Sequence, residues 1–183
     1  MDGTVFMFVK AFEINIEKAF KKCFWSSPHN EKFEQSFASF PKVYIVFATL
    51  AKGKVMLQGL ARMTGPATLE PFDWPRLAKS YNANCFPIEW IAKNANLGGL
   101  PPKCPTLSDG MRLGIGLAKE LVKRLNGVAQ KRQLEGRGQL QEILSAFPEL
   151  PATHIATKQK KRRGIYDHRV DTRRQPTLED LLG

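Results

Sequence analysis

The sequence lacks most of the features that mark membrane, secreted and metal-dependent proteins. It has no apolar run near the length of about 18 residues that spans a membrane. Asp2 precedes the short apolar start, a pattern unlike that of a signal peptide. The three cysteines, Cys23, Cys85 and Cys104, have no short CxxC spacing, and the three histidines show no HxH or HExxH pattern. We therefore expect no membrane association, no disulfide framework, no metal site and no cofactor.

Acidic residues are also scarce. The 183 residues contain 28 Lys and Arg against 17 Asp and Glu, which gives a formal net charge of +11 at pH 7. An excess of this sign indicates a polyanionic partner, of which nucleic acid is the commonest. Free thiols suit a reducing intracellular compartment. Nucleus and cytoplasm both fit, and the basic run at 158–163 (KQKKRR) slightly favours the nucleus.

The hydrophobic content of 43% is high enough for a folded domain of mixed α and β structure. Short apolar runs predict strands, and apolar residues three and four positions apart predict helices. The predicted strands are 4–9, 42–50, 55–63 and 86–91, with 42–50 and 55–63 forming a hairpin, and the predicted helices are 14–24, 30–39, 113–126 and 134–147.

The chain divides by composition into three parts. Residues 1–126 carry the regular apolar pattern of one domain, and Gly127 is a plausible C-terminal cap of its last helix. Residues 127–150 predict a helical extension, and residues 151–183 a basic, flexible tail. The extension is a candidate surface for protein partners.

The three tryptophans lie in different contexts. Trp90 alternates with Ile88 in a predicted strand, which is typical of a core residue. Trp25 opens a polar turn, and Trp74 lies in a loop rich in proline and glycine. Two tryptophans in polar loops offer a pair of walls for a flat or methylated ligand, although the same pattern fits ordinary packing.

Several blocks of the sequence, taken in order, resemble the YTH domain. They are Phe8-Val9-Lys10, Asn15, Phe24-Trp25-Ser26-Ser27, Asn30-Glu31-Lys32, Val43 to Phe47, Gln58 to Met63, Phe86 to Ile91 and Ser108-Asp109-Gly110. Their spacing over residues 4–126 is near that of the family, and residues 127–183 have no counterpart in the domain.

The resemblance implies an α/β fold in which helices pack on a mixed, β-barrel-like sheet. It also implies a non-enzymatic RNA-binding reader of N6-methyladenosine in single-stranded RNA, with a role in mRNA processing. In such a reader the methylated base leaves its stack and enters an aromatic cage.

The resemblance also implies roles for individual residues. Trp25 and Trp74 are expected to form two walls of the cage, the backbone of Ser26 to accept the remaining N6–H, and Asn15 to bond the ring nitrogen N1. Phe12 is also expected to be among the residues that bind N6-methyladenosine. Backbone contacts to RNA are expected from Lys10, Lys32, Arg62 and Asp109.

This sequence departs from the family at two positions. The family's third wall, a Leu or Trp, falls on Asn82, beside Tyr81, and we favour Tyr81 as the closing surface. The basic residue that usually precedes Asp109 is replaced by Ser108. Two alternatives therefore stay open: a structural RNA-binding or RNP-assembly module with a degenerate cage, and a nucleic-acid-processing enzyme whose site the sequence does not reveal.

Overall fold

The computed structural model describes residues 3–51, 54–68, 84–98 and 107–148. These residues form six strands and four helices. The strands are β1 (Thr4–Ala11), β2 (Phe24–Trp25), β3 (Lys42–Ala51), β4 (Lys54–Met63), β5 (Phe86–Ala92) and β6 (Met111–Arg112). The helices are α1 (Glu13–Lys22), α2 (Asn30–Ser39), α3 (Ile115–Arg132) and α4 (Arg137–Ser145).

The strands form one mixed sheet in the order β2-β5-β4-β3-β1-β6. β1 and β3 are parallel, and the other neighbouring pairs are antiparallel. The sheet curls into a half-barrel, as expected from the sequence. The parallel register pairs Ala11 with Thr49, so the ends of β1 and β3 lie side by side.

Each face of the sheet carries its own hydrophobic core because side chains alternate along a strand. One core packs residues such as Met7 and Phe47 against α1 and α2. The other packs residues such as Phe8 and Val46 against α3 and α4. Helices therefore cover the sheet on both faces, and the ends of the central strands are left to form a site.

Most predicted elements are confirmed, with α2 at the predicted bounds. The first helix is shorter than predicted, because Cys23 adopts a left-handed conformation with φ of 57° and ends α1 at Lys22. The Cys23 carbonyl then accepts a hydrogen bond from the Ile88 N–H at 2.9 Å. This bond brings the chain onto the sheet, and the next two residues pair with β5 as β2.

The prediction that the helix at 113–126 ends at Gly127 is wrong. α3 continues to Arg132, and Gln133 takes the left-handed cap position with φ of 52°. The helix passes through the glycine because Ala129, one half-turn later, is fully buried in the core. α4 follows within the span predicted for a helix, and its Leu140 and Ile143 belong to the same core.

Gly136 fixes how α4 meets the sheet. Its φ is +79°, and a Cβ at this position would collide with the backbone carbonyl of Ile91. We expect Gly136→Ala to lower the free energy of unfolding by roughly 3 kcal/mol, since it adds left-handed strain to overpacking. The matched control is Gly138→Ala, where a Cβ meets nothing within 4 Å. Urea unfolding should show no loss for the control, and equal effects of the two variants would contradict this packing.

In the part of the chain that the structure describes, no helix is both long and apolar enough to cross a membrane. The predicted basic tail at 151–183 lies outside the described residues.

Candidate functional site

A cavity of about 340 Å³ lies where β1 and β3 end and α1 begins. Its lining is mainly apolar, with a few polar groups among the rings and methyl groups. The lining residues are Lys10, Ala11, Phe12, Asn15, Trp25, Ser26, Pro28, His29, Leu50 and Asp109. Its volume is near the lower end of the range for small-molecule sites, about 300–1,000 Å³, and suits a ligand of the size of one nucleobase.

Trp25 forms the inner wall of this cavity. The residue is paired with Phe86 in the sheet, and its side chain is only 3% exposed. Its ring meets the ring of Phe47 edge to face, with 5.1 Å between the centroids. This contact fixes the ring plane, so Trp25 is both a core residue and a rigid aromatic surface for a ligand.

Asn15 supplies a buried polar group to the cavity. It lies in the first turn of α1 and is 2% exposed. Its Oδ1 atom is buried and has no hydrogen-bond partner among the described residues. Buried polar atoms are nearly always hydrogen-bonded, and an unsatisfied one costs about 1–3 kcal/mol. The buried amide of Asn15 is therefore a polar group that the mainly apolar cavity presents to a ligand.

Asp109 lies at the opening of the cavity and links three segments of the chain through hydrogen bonds. The Ser27 hydroxyl donates to Oδ2 of Asp109 at 2.7 Å, and the Lys10 N–H donates to Oδ1 at 3.4 Å. These bonds connect the end of β1, the turn before α2 and the loop before β6. Burial raises the pKa of the Asp109 carboxyl above its ordinary value of 3.8, and the hydrogen bond from Ser27 and the nearby His29 oppose the rise.

The proximity of serine, histidine and aspartate does not create a hydrolytic relay. Ser27 donates directly to Asp109, while His29 contacts the Ser27 hydroxyl oxygen through its backbone N–H at 3.0 Å. A catalytic relay requires an imidazole nitrogen between the hydroxyl and the carboxylate. Within the described ranges, no group of three or more His, Cys, Asp or Glu side chains is placed to hold a metal ion.

The raised pKa of Asp109 predicts a pH dependence of stability. The folded state binds the proton more tightly than the unfolded state, so this contribution is present at low pH and is lost as the pH rises through the folded-state pKa. Asp109→Asn removes the titration. The unfolding free energy of the native chain minus that of Asp109→Asn should therefore fall as the pH rises from about 4 to neutrality. Denaturant titrations at several pH values measure this difference in unfolding free energy. A difference that rises with pH would contradict the burial of the carboxyl.

The structure brings most of the described site candidates together. Phe12, Asn15, Trp25, Ser26, Lys10 and Asp109 all line the cavity, and Lys32 lines the groove beside it. Arg62 does not line this cavity, and it pairs with Glu89 at 2.6 Å on an exposed part of β4 and β5. Trp74, Tyr81 and Asn82 lie outside the described residues.

Trp90 packs as predicted. Its ring lies 4.6 Å from the Phe47 ring and 4.5 Å from the Phe20 ring, centroid to centroid. Its Nε1–H donates to the Ala19 carbonyl at 3.0 Å. Phe47 thus contacts both Trp25, which lines the cavity, and Trp90, which does not.

Sequence reasoning missed Leu50 and His29. Leu50 is 60% exposed at the end of β3, and it reaches the cavity because β1 and β3 are parallel neighbours. Nothing in the local pattern reveals that pairing. His29 is placed by the turn before α2, where its Cβ lies against Gly110.

Solved structures share this fold. The YTH domain of Zygosaccharomyces rouxii MRB1, in complex with N6-methyladenosine RNA, has a TM-score of 0.52 at 21% identity, covering 67% of this chain and 87% of that chain. The Toxoplasma CPSF4 YTH domain, with a 7-mer m6A-modified RNA, has a TM-score of 0.54 at 18% identity, covering 67% and 90%. The YTH domain-containing protein mmi1, in an RNA complex, has a TM-score of 0.58 at 18% identity, covering 71% and 86%.

The described elements therefore define a domain with the YTH fold. The model of the YT521-B-like domain family, YTH, matches residues 4–96, and the chain belongs to this family. A comparison with curated protein sequences found no match.

Proposed function

We propose that this chain is a non-enzymatic reader of N6-methyladenosine in single-stranded RNA, and that the cavity receives the methylated base. Family membership supports the proposal, as do the m6A-containing RNAs in the complexes of the Zygosaccharomyces and Toxoplasma domains. The observation that carries it is the mainly apolar cavity itself, which is walled by Trp25 and is lined by the buried amide of Asn15.

The edge of adenine complements these groups. Asn15 donates from Nδ2 to the ring nitrogen N1, which is an acceptor in both methylated and unmethylated adenine. The single N6–H that survives methylation donates to the backbone carbonyl of Ser26. Since Ser26 is fully buried, this bond forms only with a base that has left its stack and entered the cavity. Single-stranded RNA allows this, because its bases are free to splay out.

The methyl group provides the selectivity. It adds an apolar surface that faces Trp25 and, in the complete cage, the proposed walls Trp74 and Tyr81 beside Asn82. One methyl group in an apolar pocket is worth about 1–3 kcal/mol. We therefore expect a moderate preference for the methylated base, with much of the total affinity supplied by the RNA backbone.

The backbone contacts are assigned to the basic residues at the site. Lys10 lines the cavity beside Asp109, and Lys32 lines the adjoining groove. Arg62 is a weaker candidate, since Glu89 already neutralises its charge. Arg62→Gln should accordingly change RNA affinity less than Lys10→Gln.

Titration of isotope-labelled protein with the mononucleotides of N6-methyladenosine and adenosine tests the proposed pose. We expect the Asn15 side-chain amide signals and the Trp25 indole N–H signal to shift with either mononucleotide, and to saturate at lower concentration with the methylated one. The Trp90 indole signal is the internal control. Shifts confined to the outer face of α3 would overturn the assignment of the cavity.

A further inference from the structure

Two large apolar side chains are exposed side by side at the rim of the cavity. Phe12 is 55% exposed and Leu50 is 60% exposed, and both line the cavity. Phe12 has extended backbone angles, with φ of −70° and ψ of 144°, so it continues the line of β1 by one residue. Because Ala11 pairs with Thr49 in parallel register, the next residues, Phe12 and Leu50, are neighbours.

Leu50 and Trp25 reach the cavity from opposite faces of the sheet. Side chains alternate along β3, so that Phe47 belongs to the core under α1 and α2, and Ala48 to the core under α3 and α4. Leu50 follows Ala48 by two residues and therefore points to the same face as Ala48. Trp25 packs on the Phe47 ring and lies on the other face. The cavity at the strand ends thus has an aromatic wall on one side and an aliphatic wall on the other.

A flat ring that stacks on Trp25 has a second face that the indole does not cover. The contact with Phe47 fixes the indole plane, so a base on the indole turns its other face toward the wall that Leu50 forms. An aliphatic side chain suits this face, because the burial of apolar surface is favourable and does not depend on direction. Leu50 is more than half exposed in the free protein, so it still has apolar surface to bury against a ligand.

We propose that Leu50 is a base-binding residue, which covers the face of the adenine ring that is turned away from Trp25, with Phe12 beside it at the rim. The inference rests on the proposed function for the identity of the base. The N6-methyl group lies in the plane of the ring, so methylated and unmethylated adenine present the same face to Leu50. This residue therefore contributes to the affinity for the base and not to the preference for the methyl group.

The test compares Leu50→Ala with the native chain in titrations of one short RNA, with and without a central N6-methyladenosine, at one salt concentration. Loss of the apolar contact should weaken the binding of both RNAs by about fivefold and leave their ratio unchanged. Because Leu50 is exposed, urea unfolding should show no loss of stability. Ile14→Ala is the matched control, since Ile14 is 47% exposed in the first turn of α1 and is not part of the cavity lining. It should bind both RNAs as the native chain does.

An RNA that lacks only the base of the central nucleotide locates the contact. The effect of Leu50→Ala should vanish with this abasic RNA, and Leu50→Met, which keeps an apolar side chain, should retain most of the affinity for the intact RNAs. An equal effect on abasic and intact RNA would overturn the proposal, as would an effect no larger than that of Ile14→Ala. A native chain without methyl preference would contradict the proposed function instead, and the comparison with abasic RNA would still show whether Leu50 covers a base.

Discussion

Trp25→Leu should abolish the preference for methylated RNA. Stacking of a base on an aromatic side chain is worth about 1–3 kcal/mol, so the affinity for methylated RNA should fall roughly 10- to 100-fold. The affinity for unmethylated RNA should fall less, because that RNA gains less from the cage. Paired titrations of the two RNAs with the variant measure both effects.

The burial of Trp25 requires a control for stability. At 3% exposure and in contact with Phe47, this residue also belongs to the core, so its replacement should cost roughly 3 kcal/mol of unfolding free energy. Trp90→Leu removes a second ring packed on Phe47 and does not alter the lining of the cavity. This variant should lose stability and keep its methyl preference. Trp25→Phe, which retains an aromatic ring, serves as a milder substitution if the leucine variant does not fold.

The prediction fails if both RNAs lose affinity equally with Trp25→Leu. It also fails if Trp90→Leu removes the preference to the same extent, because the effect would then reflect the fold and not the cavity.

Asn15→Leu should stabilise the free protein and weaken its binding to RNA. Leucine has the same number and branching of side-chain heavy atoms as asparagine, and it removes a buried oxygen with no hydrogen-bond partner among the described residues. Unfolding free energy should rise by about 1 kcal/mol, at the lower end of the cost of an unsatisfied group. Binding should fall about tenfold for methylated and unmethylated RNA alike, because both present N1 to Asn15.

Asn126→Leu is the matched control. Asn126 is also buried, but its Nδ2 donates to Gln141 at 2.9 Å and its Oδ1 accepts from Gln130 at 3.4 Å. Its replacement removes both of these hydrogen bonds, so this variant should be less stable and bind RNA normally. Urea unfolding and RNA titration of the two variants distinguish the roles. A loss of stability in Asn15→Leu similar to that in Asn126→Leu would show that Asn15 is a structural residue.

Local pattern was sufficient to predict the main elements of this fold. The four- and three-residue spacing of Phe33, Phe37 and Phe40 predicted α2, and the apolar run that follows Lys42 predicted β3. The two-residue strands β2 and β6 escaped prediction because their length carries no periodicity. They exist because β5 and β1 offer backbone groups with which they pair.

Of the candidate site, only the residues that lie in family-like sequence blocks could be predicted. Trp25 and Asn15 could be assigned from family-like spacing, and the structure places both on one cavity. Leu50 and His29 could not, because their positions depend on long-range contacts. Leu50 reaches the cavity through the parallel pairing of β1 with β3, and the Cβ of His29 lies against Gly110 of a different segment.

We propose above all that the cavity distinguishes a methylated adenine from an unmethylated one. The most direct measurement is a paired titration of one short single-stranded RNA, with and without a central N6-methyladenosine, at the same salt concentration. We predict tighter binding of the methylated RNA by about tenfold or more, which corresponds to at least about 1.4 kcal/mol. Equal affinity for the two RNAs would contradict the account and indicate that the basic surface binds RNA without reading the methyl group.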